Sequence, residues 1–248
     1  MIAAGEPVAG GDYPVPHCAA RGPQRSRRVW PEHASLWLVQ SELEDGAELE
    51  WSGRHGDEGV YITAGQVREG GRVCPSGGAV IVESDVPARL RASGPARLLH
   101  FGPADPRPPA GDRPRPPEVH VVGPGGRFAR RGDGRDTRLF ADSTCLGCRI
   151  FLLYTARSGP FESAPHMHSQ DELVHLLWGG ITLGGRRLGP GDSVFIPAGQ
   201  AYGFSGAPGG FGFVNYRRGL SRMTDLRSGK VQTEGGAAGG LERVGDLR

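Results

Sequence analysis

The chain has 248 residues, and its 42 glycines and 21 prolines bring the composition close to that of disordered sequences. Hydrophobic residues still make up 37% of the chain and occur in short runs bounded by turn residues, which indicates a folded protein built from short strands. The net charge of +2 argues against nucleic-acid binding. Apolar runs stay well short of the ~20 residues of a membrane span, which argues against membrane binding. The N-terminus lacks the pattern of a signal peptide, so we expect a cytoplasmic protein.

Taken in order, the chain divides into two folded segments separated by a linker. Residues 1–28 lack periodicity and end in a basic run, so we expect a flexible N-terminal arm. Residues 103–117 contain seven prolines, which neither a helix nor a central strand tolerates, and predict an extended linker. Residues 221–248 are polar and glycine-rich and predict a flexible tail. The folded segments are then 29–102 and 118–220.

The two folded segments resemble each other in sequence. Residues 36–40 match 150–154 at an offset of 114 residues, and the same offset places 58–62 on 172–176. Both segments consist of apolar runs of about 4–8 residues between clusters of turn residues, without a helical period. The sequence therefore predicts a duplicated all-β module of the sandwich or barrel type.

The second module carries two histidines and a glutamate at the spacing of metal ligands. His166 and His168 project from the same face of an extended strand, and Glu172 has the same parity at the start of the next apolar run. Two neutral imidazoles and a carboxylate can hold a divalent first-row metal and leave positions open for water or substrate. We expect a metal site here; the alternative is a set of inert polar residues that line a barrel.

This segment resembles the cupin family. The first cupin motif, two histidines one residue apart followed by a glutamate and a glycine, is present as His166, His168, Glu172 and Gly179. The second motif is present as Gly191, Pro197 and Gly199. The resemblance implies two cupin (jelly-roll) barrels in one chain, with a metal site in the second.

The resemblance also implies that the first barrel is degenerate. Ser52 and Arg54 stand where the second module has its two histidines, and only Glu58 remains of the ligand set. We expect the first barrel to have a structural role.

The fourth ligand of the family, normally a histidine, is replaced by Tyr202. The phenol could coordinate the metal as phenolate, act as a catalytic acid–base group that steers protons or substrate, or merely fill space. Arg157 and Arg217 are candidates for binding a substrate carboxylate at the mouth of the barrel. The side chains expected to line the substrate pocket are Tyr154, Val174, Leu176, Gln200, Phe204 and Asn215.

The resemblance implies a metal-dependent enzyme that acts on a small organic molecule and that could form a homodimer. Our main expectation is a non-haem oxygenase with one divalent transition metal, Fe(II) before Mn, Ni, Zn or Cu. One alternative is redox-neutral chemistry by an isomerase, cyclase, decarboxylase or aminohydrolase. The other is a cupin that binds a small ligand without catalysis.

Cys145 and Cys148 form a C-x-x-C pair just before the apolar run that starts at Ile150. No second pair at zinc spacing exists, and no thioredoxin-like pattern surrounds it. We expect two half-buried thiols, with a reversible disulfide as the alternative.

Overall fold

The computed structural model describes residues 8–9, 13–29, 34–106, 115–142, 145, 147–236 and 241–244. Their regular structure consists of β-strands, which confirms the predicted all-β class. No helix in this part of the chain is long and apolar enough to cross a membrane. The chain divides into two compact units, an N-terminal unit of Met1–Gly126 with Cys145–Arg149 and a C-terminal unit of Arg127–Thr144 with Ile150–Arg248.

The N-terminal unit contains the first twelve strands in two antiparallel sheets. The strands are β1 (Val8–Ala9), β2 (Cys18–Arg21), β3 (Gln24–Val29), β4 (Leu36–Leu43), β5 (Glu48–Trp51), β6 (Glu58–Ala64), β7 (Gln66–Glu69), β8 (Arg72–Pro75), β9 (Ala79–Val82), β10 (Ala88–Ala92), β11 (Ala96–Pro103) and β12 (Val119–Val122). The first sheet has the order β1-β3-β4-β11-β6-β9-β12, and the second has the order β2-β5-β10-β7-β8. Alternate side chains of both sheets, among them Trp37, Trp51 and Val60, form one buried apolar cluster.

The C-terminal unit contains the remaining strands. They are β13 (Phe128–Gly132), β14 (Arg135–Ala141), β15 (Ile150–Arg157), β16 (Phe161–Glu162), β17 (His166–His168), β18 (Glu172–Leu183), β19 (Arg186–Leu188), β20 (Ser193–Ile196), β21 (Phe204–Arg218), β22 (Arg222–Asp225), β23 (Val231–Thr233) and β24 (Glu242–Arg243). The larger sheet has the order β19-β18-β21-β15-β14-β13-β24, with β16 paired to β21 and β20 to β18. A smaller sheet has the order β17-β22-β23.

The long pairing of β18 with β21 positions the candidate site. In its register, Glu172 at the start of β18 lies directly opposite Arg217 near the end of β21. A bulge interrupts the pairing near Gly179, which has a φ of +69° and whose added Cβ would lie 2.1 Å from the carbonyl oxygen of Gly210. Only glycine fits this approach of two backbones, in agreement with the motif position of Gly179.

The N-terminal arm differs from the expected flexible segment. β2 pairs with β5, and β3 pairs with β4. Ser26 and Val29 of β3 are buried. These strands are held by backbone hydrogen bonds to neighbours that are far away in sequence, which a local search for hydrophobic periodicity does not detect.

The tail and the linker also differ from expectation. In the tail, β22 pairs with β17 and β23 pairs with β22, so this part of the chain forms an ordered sheet. Residues 107–114 of the proline-rich linker lie outside the described residues. The first residue of the expected linker, Pro103, is the last residue of β11. The C-terminal unit begins at Arg127 instead of residue 118, because β12 pairs with β9 of the N-terminal unit.

Candidate functional site

The three predicted metal ligands lie at the junction of both sheets of the C-terminal unit. His166 and His168 are the ends of β17, and Glu172 is the first residue of β18. Tyr202 is held beside them because it exchanges two backbone hydrogen bonds with His166, of 2.8 and 2.9 Å. The four residues that the sequence predicts to lie together therefore do so.

Arg217 contacts two of these residues, Glu172 and His168. Its Nε and Nη2 atoms each lie 2.7 Å from Glu172 Oε2. The Nη2 group also lies 3.4 Å from His168 Nε2, and the whole side chain is buried. A carboxylate held by the planar fork of an arginine is a strong, charge-assisted contact.

A second carboxylate, Glu234, anchors the other side of this arginine. Arg217 Nη1 donates to Glu234 Oε2, and the Ser221 hydroxyl donates to the same oxygen over 2.7 Å. Glu234 also accepts a hydrogen bond of 2.8 Å from His168 Nδ1. Burial opposes ionisation, but the charge of Arg217 and the bond from His168 hold the pKa of Glu234 well below its usual range. The guanidinium is thus shared by two carboxyl groups, those of Glu172 and Glu234.

Tyr202 is a neutral phenol in this arrangement. Its hydroxyl donates a 2.8 Å hydrogen bond to Glu172 Oε1. Burial, reinforced by the charge of Glu172, raises the pKa of Tyr202 far above its usual range. Without a metal the phenol stays protonated, and its hydroxyl serves to orient Glu172. Coordination of a metal by Tyr202 stays a prediction.

His166 is the member of the group that faces a cavity. Its Nδ1 lies 2.7 Å from the carbonyl oxygen of Ala164, so Nδ1 carries the proton and Nε2 carries the lone pair. Burial, followed by the charge of His168, lowers the pKa of His166. The imidazole is neutral at pH 7 and is equipped to accept a proton at Nε2.

The cavity has a volume of about 340 Å³. Its walls combine aromatic rings, two arginines and two acidic residues. They are formed by Arg135, Thr155, Arg157, Phe161, Glu162, Ser163, Ala164, His166, Phe204, Phe211, Met223 and Asp225. A small molecule bound there would contact His166.

Of the six side chains expected to line the pocket, Phe204 lines this cavity. Val174 and Leu176 instead pack in the apolar core of the unit. The Tyr154 hydroxyl lies 3.3 Å from Trp178 Nε1, while Gln200 is exposed and Asn215 is buried. Strand parity identified inward-facing residues, but aromatic rings fill the interior beside them, so the open space lies nearer to β14, β15 and β16.

The types and positions of the donor atoms determine whether this site fits a divalent metal. The donor types fit, and the bond from His168 to Glu234 is the orientation that metal-ligating histidines commonly have. The arrangement present does not fit, because Arg217 Nη2 contacts both His168 Nε2 and Glu172 Oε2, which lie 3.5 Å apart, and so takes the lone pairs that a metal would need. The other oxygen of Glu172 already accepts a hydrogen bond from Tyr202. A metal at these residues stays a prediction that requires Arg217 to leave.

The N-terminal unit has its own buried polar group around Glu58. Trp51 Nε1 and His100 Nε2 each lie 2.7 Å from Glu58 Oε2, and His17 Nε2 lies 2.6 Å from Oε1. The motif positions do not indicate His17 and His100. His17 comes from the expected N-terminal arm, and His100 comes from β11. Glu58, Trp51 and His100 are fully buried and His17 is half-buried, in keeping with a structural role.

Cys145 and Cys148 form a disulfide, whereas the sequence analysis expects free thiols. The turn between them sets their Cα atoms 5.6 Å apart, within the range that a disulfide spans. The pair lies in the N-terminal unit and not in the predicted C-terminal barrel.

No family model and no curated protein matches the sequence. Among solved structures, the formate complex of Lactobacillus farciminis oxalate decarboxylase matches with a TM-score of 0.65 and 15% identity over 90% of this chain and 88% of that chain. Bacillus subtilis oxalate decarboxylase at pH 4.6 matches with a TM-score of 0.59 and 15% identity over 79% and 72%. A structure from a study of the Mn(II) centres of that enzyme gives 0.59 and 14% over 79% and 73%. The chain therefore has the fold of these oxalate decarboxylases, which is the cupin fold that the sequence motifs predict.

Proposed function

We propose that the protein is a redox-neutral enzyme that transfers a proton to or from a small organic carboxylate bound in the C-terminal unit. The observation that carries this proposal is the cavity that brings neutral His166 together with Arg135 and Arg157. The expected Fe(II) oxygenase has no support, because the solved structures that the chain resembles are decarboxylases.

The two arginines provide the site for the carboxylate. They are directly opposite partners on β14 and β15, and neither forms an ion pair with a carboxylate among the described residues. Burial, followed by the charges of Arg157 and Arg130, lowers the pKa of Arg135. Two neighbouring cations of this kind are stabilised by an anionic ligand, and a guanidinium binds a carboxylate through two parallel hydrogen bonds.

The aromatic wall limits the size of the substrate. Phe161, Phe204 and Phe211 pack with ring centroids 5.5 to 5.8 Å apart, and Arg157 lies over the Phe161 ring at 4.9 Å. The volume is at the lower end of ligand cavities, roughly 300–1,000 Å³. It suits an acid of a few carbon atoms.

His166 supplies the chemistry. With its proton on Nδ1, it can take a proton from the bound acid or from water at Nε2 and return it later, so no electrons are transferred overall. The Tyr202 ring packs against the His166 ring at a tilt, with centroids 4.4 Å apart, and is itself held by Glu172, which keeps the imidazole in place. Decarboxylation, isomerisation and hydrolysis of a small acid all require such a proton transfer.

A divalent metal belongs to this proposal only as a cofactor that the relatives suggest, since one neighbour is described by its Mn(II) centres. His166, His168 and Glu172 could hold it only once Arg217 has moved away, and it would then supply Lewis-acid chemistry. The steps above do not depend on it, because they use Nε2 of His166 and the two cavity arginines.

A second candidate function is binding of a small carboxylate without turnover. It is favoured by Arg217, because its buried guanidinium contacts the donor atoms of His168 and Glu172 that a catalytic metal would need. Both functions share the arginine site and differ in the role of His166.

The proposal is tested by incubating the protein with short carboxylic acids in D2O and following them by NMR. We expect deuterium to be incorporated into one acid or its product, at a rate that falls as the pH drops through the lowered pKa of His166. His166→Gln should reduce this rate at least 100-fold, the scale of general acid–base catalysis. Binding without any exchange in the natural protein would establish the second function, and an active His166→Gln variant would contradict the role of the imidazole.

A further inference from the structure

A cluster of metal-ligand side chains lies in the N-terminal unit, apart from the cavity described above. It brings together Glu83, His120, Cys145 and Cys148, each with a ligand atom within 4.8 Å of every other. Three of the four residues are buried, and His120 is half-buried. They come from three separate chain segments, since Glu83 follows β9, His120 belongs to β12 and the cysteines flank a short turn.

The separations of these atoms are close to those of a tetrahedral site. Cys145 Sγ lies 3.7 Å from Glu83 Oε1 and 3.8 Å from His120 Nε2. Bond lengths of ~2.0–2.3 Å in a tetrahedral zinc site place neighbouring ligand atoms roughly 3.3–3.8 Å apart. His120 Nε2 and Glu83 Oε1, now hydrogen-bonded at 2.7 Å, would have to separate by well under 1 Å.

A cation already lies beside the cluster and contacts three of its four members. The Nη2 group of Arg115 lies 2.5 Å from Glu83 Oε1, 3.2 Å from His120 Nε2 and 3.8 Å from Cys145 Sγ. The side chain of Arg115 is 27% exposed, so it can turn toward solvent. Its other group, Nη1, contacts Glu83 Oε2 at 3.2 Å, so the arginine competes with a metal ion for both oxygens of this carboxylate.

Gly147, between the two cysteines, leaves the space that the cluster needs. A Cβ added there would lie 2.5 Å from Glu83 Oε1 and 2.5 Å from Arg115 Nη2. Because residue 147 is glycine, the C-x-x-C segment can lie closer to Glu83 than it could with any larger residue at this position.

We propose that, when Cys145 and Cys148 are reduced, these two cysteines bind a zinc-class divalent cation together with His120 and Glu83. A dithiol reductant delivers two electrons and two protons to the Cys145–Cys148 bond and leaves as its own disulfide. The cation then displaces one proton from each thiol, binds between the four ligand atoms and displaces the Arg115 Nη2 group from its contacts with Glu83 and His120. Thiolate ligands favour zinc over the harder Mn(II), and a disulfide offers no thiolate. The site is independent of the function proposed for the C-terminal unit.

The test is titration of the purified full chain with Co(II), which reports thiolate coordination by its absorption, followed by displacement with Zn(II). The same protein with the disulfide closed is the matched control, because it has the same sequence and fold. We expect one equivalent of Co(II) with thiolate-to-cobalt absorption in the reduced protein and at least 100-fold weaker binding in the oxidised protein. Equal binding in both states, or no thiolate absorption in the reduced protein, would overturn the proposal.

Two variants distinguish the metal site from a plain ion-pair and disulfide cluster. Arg115→Gln removes the competing cation and should tighten Zn(II) binding at least threefold. Gly147→Ala inserts a methyl group into the cluster and should weaken binding at least tenfold. Weaker binding in Arg115→Gln would show that the arginine does not compete with the metal and would contradict the proposed position of the ion; hydrogen exchange of the N-terminal unit verifies that each variant is folded.

Discussion

Arg217 determines what the predicted ligand residues do. Its guanidinium is buried against Glu172 and Glu234, and it keeps a positive charge among residues whose spacing is that of metal ligands. Burial alone would lower the pKa of this guanidinium, but the two carboxylates raise it. The charge of the group is therefore fixed, and the contact of Arg217 with Glu172 is a buried ion pair of the kind that is costly to break.

We expect Glu172→Gln to destabilise the C-terminal unit by roughly 3–5 kcal/mol, because it leaves part of a buried charge without its partner. Exposed Glu162, converted to glutamine, is the control and should change the free energy of unfolding by less than about 0.5 kcal/mol. Urea titration monitored by hydrogen exchange of β18 and β21 measures both. Similar effects of the two substitutions would contradict the assigned role of Glu172.

Glu58 gives the N-terminal unit a dependence on acid. Burial disfavours its charge, but hydrogen bonds from His100 and His17 hold its pKa at about 2, below the ordinary 4.5. A carboxyl group with a lowered folded-state pKa contributes stability above its unfolded pKa and loses that stability as the pH falls toward the folded value. We expect a loss of roughly 3 kcal/mol from this group between pH 4.5 and 2.

Glu58→Gln should remove this part of the pH dependence, while the same change at exposed Glu44 should leave it intact. The free energy of unfolding of the N-terminal unit, measured by hydrogen exchange in urea across the acid range, reports the difference. If the loss of stability toward low pH is as steep in Glu58→Gln as in the natural chain, another group is responsible.

At this scale the sequence predicts part of the site. The alternating positions of His166 and His168 and the parity of Glu172 are local properties of strands, so their proximity follows from spacing alone. The sequence predicts Arg217 at the mouth of the barrel as a site for a substrate carboxylate, but the side chain is buried against Glu172 and Glu234. These contacts do not follow from local spacing, because they join segments far apart in sequence. With 28 arginines in the chain, no local signal separates the buried one from the solvated ones.

At the scale of structural elements, Gly179 of the cupin motif explains the bulge in β18. Gly179 and Gly199 both have a positive φ, of 69° and 73°, but only Gly179 has a backbone atom within 4 Å of an added Cβ. Alanine at Gly199 therefore tests the conformation alone, and alanine at Gly179 tests the conformation together with the approach of β21.

We expect Gly199→Ala to lower the free energy of unfolding by about 1–2 kcal/mol, the cost of a left-handed conformation for an L-residue. Gly179→Ala should cost at least about 2 kcal/mol more, because the carbonyl of Gly210 cannot move without disrupting the sheet. Urea midpoints for the C-terminal unit provide the comparison. Equal costs would show that the two strands separate readily at this point.

The elements that the sequence predicts least well are the terminal ones. β3 and β23 have no clear alternation of apolar residues, yet β3 pairs with β4 and β23 follows β22. Their order comes from hydrogen bonds to strands already in place. In the tail, this order brings Glu234 to His168 and Arg217.

For the whole molecule, the internal repeat predicts an all-β chain, and the cupin motif predicts which half carries the chemistry. The solved oxalate decarboxylases agree with this fold at 14–15% identity. The reaction class was less predictable, because Tyr202 and Arg217 change the environment of the motif residues without changing the motif spacing. In addition, most of the cavity wall comes from strands that carry no motif.

The central claim is that the cavity of the C-terminal unit binds a small organic acid through Arg135 and Arg157. Calorimetric titration of metal-free protein with short carboxylic acids, oxalate among them, tests it most directly. Arg157→Gln serves as the test variant, and Arg186→Gln, at an exposed position on β19, serves as its control. We expect one acid to bind with a 1:1 stoichiometry, at least tenfold more weakly to Arg157→Gln and unchanged to Arg186→Gln; the absence of binding, or equal affinity in both variants, would contradict the claim.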